Sequence, residues 1–138
     1  MAPEEVVADA NVLLSAVIGK AANKIFSEFV LRVHVAEFNA REVEEYLPMM
    51  AEKYKLPMDL VQLQWRILPI IKYTPTRYAR YYKKAVKDLK ERDPEDAHVL
   101  ALARALGLPL WSNDHHLEKI GLPVFTTAKL LRVLEGRK

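Results

Sequence analysis

The sequence predicts a single α/β domain: a three-layer α/β/α sandwich with a central, mainly parallel sheet. Short apolar runs alternate with amphipathic segments along the chain, an order typical of a parallel sheet that helices cover on both faces. The length of 138 residues, with 51% hydrophobic and 28% charged residues, fits one globular domain over residues 1–138. Such sheets bind ligands beyond the carboxyl ends of their strands, so functional side chains are expected there.

The first half of the chain predicts a βαβ unit followed by two helices. Residues 5–8 form a short apolar run, rich in β-branched side chains, that fits a buried strand ending at Asp9. The next elements are a helix over 11–18, a second over 21–29 and a strand over 31–35. Asn39 is placed to cap the following helix, and a further helix over 57–71 has to end or kink at Pro69.

The second half predicts three more strands between helices. A short strand over 70–73 precedes an amphipathic helix over 77–91. Asp93-Pro94 opens the next helix, which ends at Gly107, the residue type expected just past a helix end. A strand over 108–111, a short helix capped by Asn113 or Asp114, a strand over 123–125 and a helix over 128–134 complete the fold.

Acidic residues lie where this fold places a ligand site. Asp9 ends the first strand, and Asp114 follows the strand over 108–111. Asp93 and Asp96 open the helix that enters that strand, and their spacing puts both on one side of it. Clustered carboxylates oppose each other's ionisation, a cost that Mg²⁺ or Mn²⁺ removes. Such an ion would polarise a phosphodiester and activate water, which predicts hydrolysis of nucleic acid.

Each of these acids also has a purely structural explanation. Asp93 before Pro94 is an ordinary start of a helix, and Asp114 is a plausible cap of the short helix that follows it. Asp9 fits a structural role less well, because a carboxylate at the end of an apolar strand is costly without a partner.

The predicted helix over 77–91 carries a basic surface. Between residues 72 and 92 there are eight Lys or Arg and two acidic residues, in a chain of net charge +3. Four of the basic residues share the side opposite the apolar stripe: Arg77, Arg80, Lys84 and Lys87. With Tyr73, Tyr78 and Tyr81 nearby for stacking, this pattern fits an RNA-binding surface. A solvated helix face is the structural alternative.

Several classes of protein are excluded or disfavoured. The absence of Cys excludes disulfides, thiolate zinc sites and a Cys nucleophile. No export signal or membrane-spanning run is predicted, so the expected location is the cytoplasm. The four Gly residues form no phosphate-binding loop after the first strand, which excludes a nucleotide-binding Rossmann fold. His115 and His116 diverge too far to ligate one ion, and His98 has either a substrate-facing role or a surface or interface role.

Four segments, in order and spacing, resemble the motifs of PIN-domain nucleases. Residues 6–13 (VVADANVL) carry the opening Asp-x-Asn motif, and residues 43–47 (VEEYL) resemble the helix that carries a Glu. Residues 93–103 (DPEDAHVLALA) and 111–117 (WSNDHHL) resemble the two later Asp motifs. The family commonly has Thr-Gly-Asp in the last motif, where this chain has Ser-Asn-Asp and keeps the hydroxyl.

The resemblance implies specific site residues. The catalytic and metal-binding quartet would be Asp9, Glu45, Asp96 and Asp114. Asp93 would be an accessory acid or a cap, while Asn11 and Ser112 would support the first and last Asp by hydrogen bonds. Glu42 is the reserve for Glu45, because both flank the buried stripe of their helix whereas Glu44 points further into solvent.

The resemblance also implies an activity and partners. It predicts an endoribonuclease that uses Mg²⁺ or Mn²⁺ to hydrolyse single-stranded RNA and frequently forms homodimers. It further predicts the toxin of a toxin–antitoxin pair of the VapC kind, restrained by a small antitoxin protein. The main alternative is a catalytically silent PIN-like module that binds RNA or protein. A receiver or phosphatase-like domain is disfavoured by the Asp-x-Asn opening and the lack of a nucleophile motif.

Overall fold

A parallel sheet forms the centre of the molecule. The computed structural model describes residues 2–89, 94–117 and 120–136, with the backbone alone for residues 94, 95 and 116. In these ranges the strands are β1 Glu5–Ala8, β2 Arg32–Ala36, β3 Ile70–Tyr73, β4 Leu110–Trp111 and β5 Val124–Phe125. Their order across the sheet is β3-β2-β1-β4-β5, and every neighbouring pair is parallel. The predicted α/β fold class is confirmed.

Helices connect the strands and cover the sheet. Within the described ranges they are α1 Ala10–Val17, α2 Ala21–Glu28, α3 Glu37–Lys53, α4 Met58–Ile67, α5 Pro75–Leu89, α6 Pro94–Leu106 and α7 Thr127–Gly136. A short 3₁₀ helix spans His115–Leu117. None of the helices in these ranges has the length and apolar character that crossing a lipid bilayer requires.

Alternating side chains of β1 divide the interior into two cores. Val6 and Ala8 pack with residues of α1, α2, α3, α4 and α7, whereas Val7 packs with α5 and α6. Since all three side chains are fully buried, each Val contributes about 1.5–3 kcal/mol by its removal from water. The sheet therefore has helices on both faces, as the predicted three-layer arrangement requires.

The start of α3 differs from the prediction. This helix begins at Glu37, directly after β2, with Ala36 at the cap position and no capping hydrogen bond from its side chain. A strand that continues straight into a helix leaves no loop in which Asn39 could act as a cap. Asn39 instead lies inside the first turn of α3 with only 1% of its surface exposed, which places it beneath the carboxyl edge of the sheet.

Candidate active site

Three aspartates meet at the carboxyl edge of the sheet. Asp9 follows β1, and Asp114 follows the neighbouring parallel strand β4 after two intervening residues. Asp96 comes from the first turn of α6. These three side chains line one small cavity together with Ala10, Asn11, Asn39 and Glu42.

The size of this acidic cavity limits what it can hold. Its volume is about 40 Å³, which exceeds the ~10–15 Å³ that a single water molecule requires. An ion with some of its water molecules fits inside, whereas a nucleotide has to approach from the open side. The site therefore suits a small cation beneath a substrate that lies across its mouth.

The carboxylate of Asp9 is held by hydrogen bonds at both oxygens. It is the N-cap of α1, where its Oδ1 accepts a hydrogen bond of 3.0 Å from the backbone N–H of Val12. Its Oδ2 accepts a hydrogen bond from the Ser112 hydroxyl. The side chain is 8% exposed and is held at both oxygens. Because the strand continues directly into the helix, one residue both closes β1 and caps α1.

Burial raises the pKa of Asp9 above its ordinary value of 3.8, and the nearby charge of Asp114 adds to the increase. Hydrogen bonds from Ser112 and from the backbone of Val12 and Asn11 act in the opposite direction. Loss of hydration outweighs these hydrogen bonds, so the charged carboxylate is costly in the isolated protein. A bound cation would offset that cost.

The loop that carries Asp114 is fixed on both sides. The backbone N–H of Asp114 donates to the Ser112 hydroxyl oxygen at 3.0 Å. Asn113 accepts a hydrogen bond from the backbone N–H of Thr127 at 2.8 Å and donates to its hydroxyl at 3.2 Å. Ser112 and Asn11 were predicted to support the first and last Asp, and the Ser112 hydroxyl hydrogen-bonds both to the backbone of Asp114 and to the Asp9 carboxylate. Asn11 donates a backbone hydrogen bond to Asp9 and is one of the residues that line the cavity.

The structure brings Glu42, and not Glu45, to the aspartates. Glu42 lines the acidic cavity, whereas Glu45 is exposed and lies outside it. The core-facing residues of α3 are Asn39, Ala40, Val43, Leu47 and Ala51. At about 100° per residue, Glu45 lies opposite the centre of this set and Glu42 lies at its rim beside Asn39. The structure therefore differs from the predicted choice because Tyr46, 41% exposed, does not belong to the buried stripe.

Two residues of the cavity wall were not predicted as site residues. Asn39 was interpreted as a helix cap, and Ala10 was not considered. The spacing of three residues between Asn39 and Glu42 is the signal that could have grouped them, because residues three apart lie on one side of a helix. Asp93 lies outside the described residues, so its role as an accessory acid or cap stays a prediction.

His98 lies in a cluster of aromatic rings beside the site. Its Nδ1 is 2.5 Å from the Tyr78 hydroxyl, and its ring stacks on Phe38 with 4.0 Å between the centroids. Tyr82 makes a third ring contact. Burial lowers the pKa of His98 and raises that of Tyr78 to about 12, so both are neutral at pH 7. His98 therefore joins α6 to α3 inside the domain, and its predicted contact with substrate or its surface or interface role stays a prediction.

Comparison with known proteins identifies the family. A family model described as the PIN domain matches residues 7–135. This chain belongs to the PIN-domain family. No curated protein is similar enough in sequence to count as a relative of this PIN domain. The structure is similar to a toxin–antitoxin complex from Klebsiella pneumoniae, with a TM-score of 0.65, 18% identity and coverage of 88% of this chain and 97% of the other.

A second solved structure has the same fold. It is VapBC2 from Rickettsia felis bound to a DNA fragment from their promoter, with a TM-score of 0.67 and 12% identity. The match covers 88% of this PIN domain and 98% of the other chain. At these identities the two structures establish the fold.

The basic surface of this PIN domain is exposed along α5. Arg77, Arg80, Lys84 and Lys87 all lie in solvent. The Arg77 guanidinium is 5.9 Å from the centre of the Tyr73 ring, and Lys84 is 3.7 Å from Asp88. Tyr78 was predicted to be available for base stacking, but it is fully buried against α6. Tyr81 remains exposed on this helix.

The donor atoms of the PIN domain site fit a hard divalent cation. Asp9, Glu42, Asp96 and Asp114 offer carboxylate oxygens, the ligands that Mg²⁺ and Mn²⁺ prefer. Among the described residues, however, no group of three or more acidic or His side chains is arranged to enclose one ion. Mg²⁺ usually keeps several waters and takes one or two protein carboxylates. The site therefore fits an ion held by a pair of carboxylates and completed by water and substrate oxygens.

Proposed function

We propose that this PIN domain is a metal-dependent endoribonuclease that hydrolyses phosphodiester bonds in single-stranded RNA. The observation that supports this function is the meeting of Asp9, Glu42, Asp96 and Asp114 around one cavity of about 40 Å³. Burial raises the pKa of Asp9 and the charge of Asp114 adds to the increase, as expected where carboxylates gather. A cation site explains why such an arrangement is present at a sheet edge that binds ligands.

Each acidic residue has a distinct part in this proposal. Asp9 and Asp114 would hold the ion, because Ser112 connects the carboxylate of one to the backbone of the other. Bound Mg²⁺ or Mn²⁺ would polarise the phosphodiester and lower the pKa of a water molecule. Glu42 on α3 and Asp96 on α6 lie across the same cavity, where they would orient that water and accept its proton.

The basic residues of α5 would hold the RNA backbone. Arg77, Arg80, Lys84 and Lys87 are exposed along one helix, and Arg77 lies beside Tyr73 at the carboxyl end of β3. The charged row therefore begins at the edge of the sheet where the acids lie. Contacts of this kind attract phosphates without reading sequence, so they would position the strand and leave the choice of bases to other residues.

We further propose a partner and a cellular role. The two solved structures are a toxin–antitoxin complex and VapBC2, which supports the role of a toxin restrained by a small antitoxin protein. A homodimer in the cytoplasm, where RNA is accessible, is part of the same proposal.

The test of the nuclease function is cleavage of labelled single-stranded RNA with Mg²⁺ or Mn²⁺ and with EDTA. Asp9→Asn and Asp114→Asn should each reduce the rate by at least about a hundredfold, while Asp59→Asn, on the exposed side of α4, should cleave like the wild type. A folded wild type that binds RNA without cutting it, across many sequences and with both metals, would support a silent binding module instead. The absence of an ion-enclosing trio among the described side chains is the observation that favours this second candidate.

A further inference from the structure

A second cavity adjoins the acidic cavity. It has a volume of about 470 Å³ and lies between α1 and α3. Asn11 and Glu42 line both cavities, so a ligand that lies across the acidic cavity extends into the second without leaving the protein surface. Its volume is more than ten times that of the acidic cavity, which suits a heterocycle better than an ion.

The walls of the second cavity combine flat apolar surface with a polar margin. Tyr46 and Met49 of α3 are 41% and 55% exposed, and Leu14 of α1 forms the buried apolar floor. Asn11 and Ser15 add an amide and a hydroxyl from the same side of α1. A nucleobase has the matching chemistry, because its faces stack on aromatic rings and its edge exchanges hydrogen bonds with polar side chains.

We propose that this cavity is a nucleobase subsite that binds a base next to the phosphodiester bond that is cut, with Tyr46 as its stacking surface. The inference rests on the proposed function, since it takes the acidic cavity to hold the phosphate. A base and its phosphate belong to one nucleotide, and the two cavities adjoin because they share the wall formed by Asn11 and Glu42. The base of the nucleotide is covalently linked to the phosphate in the acidic cavity, which favours a nucleobase over a protein side chain as the occupant.

The subsite makes Tyr46 a determinant of RNA binding that works through the base. Loss of a stacking ring weakens binding of single-stranded nucleic acid by roughly five- to 150-fold. We expect a loss of about tenfold for Tyr46→Ala, since the ring is half exposed. Tyr46→Phe keeps the ring and should bind within about twofold of the wild type. The Asn11 amide and the Ser15 hydroxyl would then read the edge of the base.

The experiment measures binding of a fluorescein-labelled RNA heptamer by anisotropy with Ca²⁺, which takes oxygen ligands as Mg²⁺ does and can neutralise the acidic cavity, and electrophoresis checks that the heptamer stays intact. The heptamer is compared with a series in which one nucleotide at a time is abasic. One abasic position should weaken binding to the wild type by about tenfold and leave binding to Tyr46→Ala unchanged. Tyr54→Ala is the matched control, because Tyr54 lies on the end of the same helix, is 36% exposed and lies outside the cavity.

A heptamer carrying 5-iodouridine at the sensitive position locates the base directly. Irradiation should attach it to the wild type at Tyr46 or within residues 11–15 and 46–50, as identified by mass spectrometry of the peptides. The subsite would be overturned if the wild type and Tyr46→Ala were equally sensitive at every abasic position, or if the RNA attached only elsewhere. The cavity would then be left to a protein side chain.

Wild type that binds with this pattern but never cleaves with metal would contradict the nuclease function alone. Cleavage that Tyr46→Ala leaves unchanged, together with unchanged binding, would contradict the subsite alone.

Discussion

The Ser112 hydroxyl donates a hydrogen bond to Oδ2 of Asp9, although the two residues are 103 positions apart in the chain. The same oxygen accepts a hydrogen bond of 3.0 Å from the backbone of Asp114. One hydroxyl therefore sets the distance between the residues that follow β1 and β4. The relative positions of the two aspartates depend on this side chain, and the first prediction tests that dependence.

Ser112→Ala should destabilise the protein by about 1–3 kcal/mol, because it leaves one oxygen of a buried carboxylate without its hydrogen bond. The pKa of Asp9 should rise further, since this hydrogen bond lowers it. Urea unfolding at pH 7 measures the free energy. Ser27→Ala is the control, because the Ser27 hydroxyl bonds a backbone carbonyl on the exposed surface of α2. If both variants lost the same free energy of unfolding, the hydrogen bond of Ser112 to Asp9 would have no particular importance for stability.

Asp9→Asn should stabilise the metal-free protein at neutral pH. The pKa of Asp9 is raised in the folded state, so the folded protein binds a proton more tightly than the unfolded chain does. Stability from this group is present at low pH and is lost as pH rises from about 3.8 through the folded-state pKa. Asn keeps the capping oxygen without the charge.

Urea unfolding in EDTA from pH 4 to pH 8 checks this sign. The advantage of Asp9→Asn over the wild type should be largest at the high end of the range and should shrink toward pH 4. Asp59→Asn, on the exposed surface of α4, should shift stability by less than about 0.5 kcal/mol at every pH. An Asp9→Asn variant that is less stable than the wild type at pH 8 would contradict the prediction.

Glu42→Gln should reduce RNA cleavage far more than Glu45→Gln. Glu42 lines the acidic cavity, whereas Glu45 is exposed and lies outside it. Removal of a group that orients or deprotonates the attacking water costs roughly 10²–10⁴ in rate, while the Glu45 variant should remain within about twofold of the wild type. Single-turnover cleavage with saturating protein compares the two. If Glu45→Gln reduced the cleavage rate more than Glu42→Gln, Glu45 would be the glutamate that acts in the site.

Divalent cations should raise the melting temperature of the wild type and not that of Asp9→Asn or Asp114→Asn. An ion that binds only the folded protein stabilises it by about 2.7 kcal/mol at a hundredfold excess over its Kd. Calorimetry with Mn²⁺ and after EDTA treatment measures the difference. Glu45→Gln should keep the full increase and serves as the control. An increase that persists in both Asp variants would place the ion elsewhere.

Arg80→Ala should weaken RNA binding and reduce its dependence on salt. Each phosphate contact contributes roughly 0.7 to the slope of log K against log salt for a single strand. One lost contact on the exposed face of α5 should lower the slope by about that amount for every RNA sequence. Lys129→Ala on α7, an exposed cation near Phe125, provides the comparison. An unchanged slope for Arg80→Ala would remove α5 from the RNA path.

The sequence was sufficient for the sheet because its strands are local signals. The run that predicted a strand over 5–8 is β1 with the same bounds, and β3 is likewise Ile70–Tyr73. Composition and periodicity act within a few residues, so they locate each strand without knowledge of its neighbours. The carboxyl edge and the meeting of Asp9 with Asp114 follow once the strands are parallel.

Local sequence pattern could not decide which glutamate of α3 lies at the site. Glu42 and Glu45 are three residues apart. Which of them faces the aspartates depends on which side of α3 packs on α1 and α6. Asn39 settles this in the structure because it is buried although it is polar, and hydrophobic periodicity gives a polar residue no weight. Tyr46 had the opposite effect on the predicted buried stripe of α3. Hydrophobic periodicity assigns an aromatic side chain to the core, although Tyr46 is exposed in the structure.

The strands β4 and β5 are two residues long each, whereas β1, β2 and β3 have four or five. Local opening of a protein begins where few backbone hydrogen bonds hold a segment. Asp9 follows one of the longer strands and Asp114 follows one of the shorter ones, so the two sides of the acidic cavity are held by different numbers of backbone hydrogen bonds. The side that carries Asp114 depends more on the burial of Leu110 and Trp111 and on the hydrogen bonds of Ser112 and Asn113 than on the sheet itself.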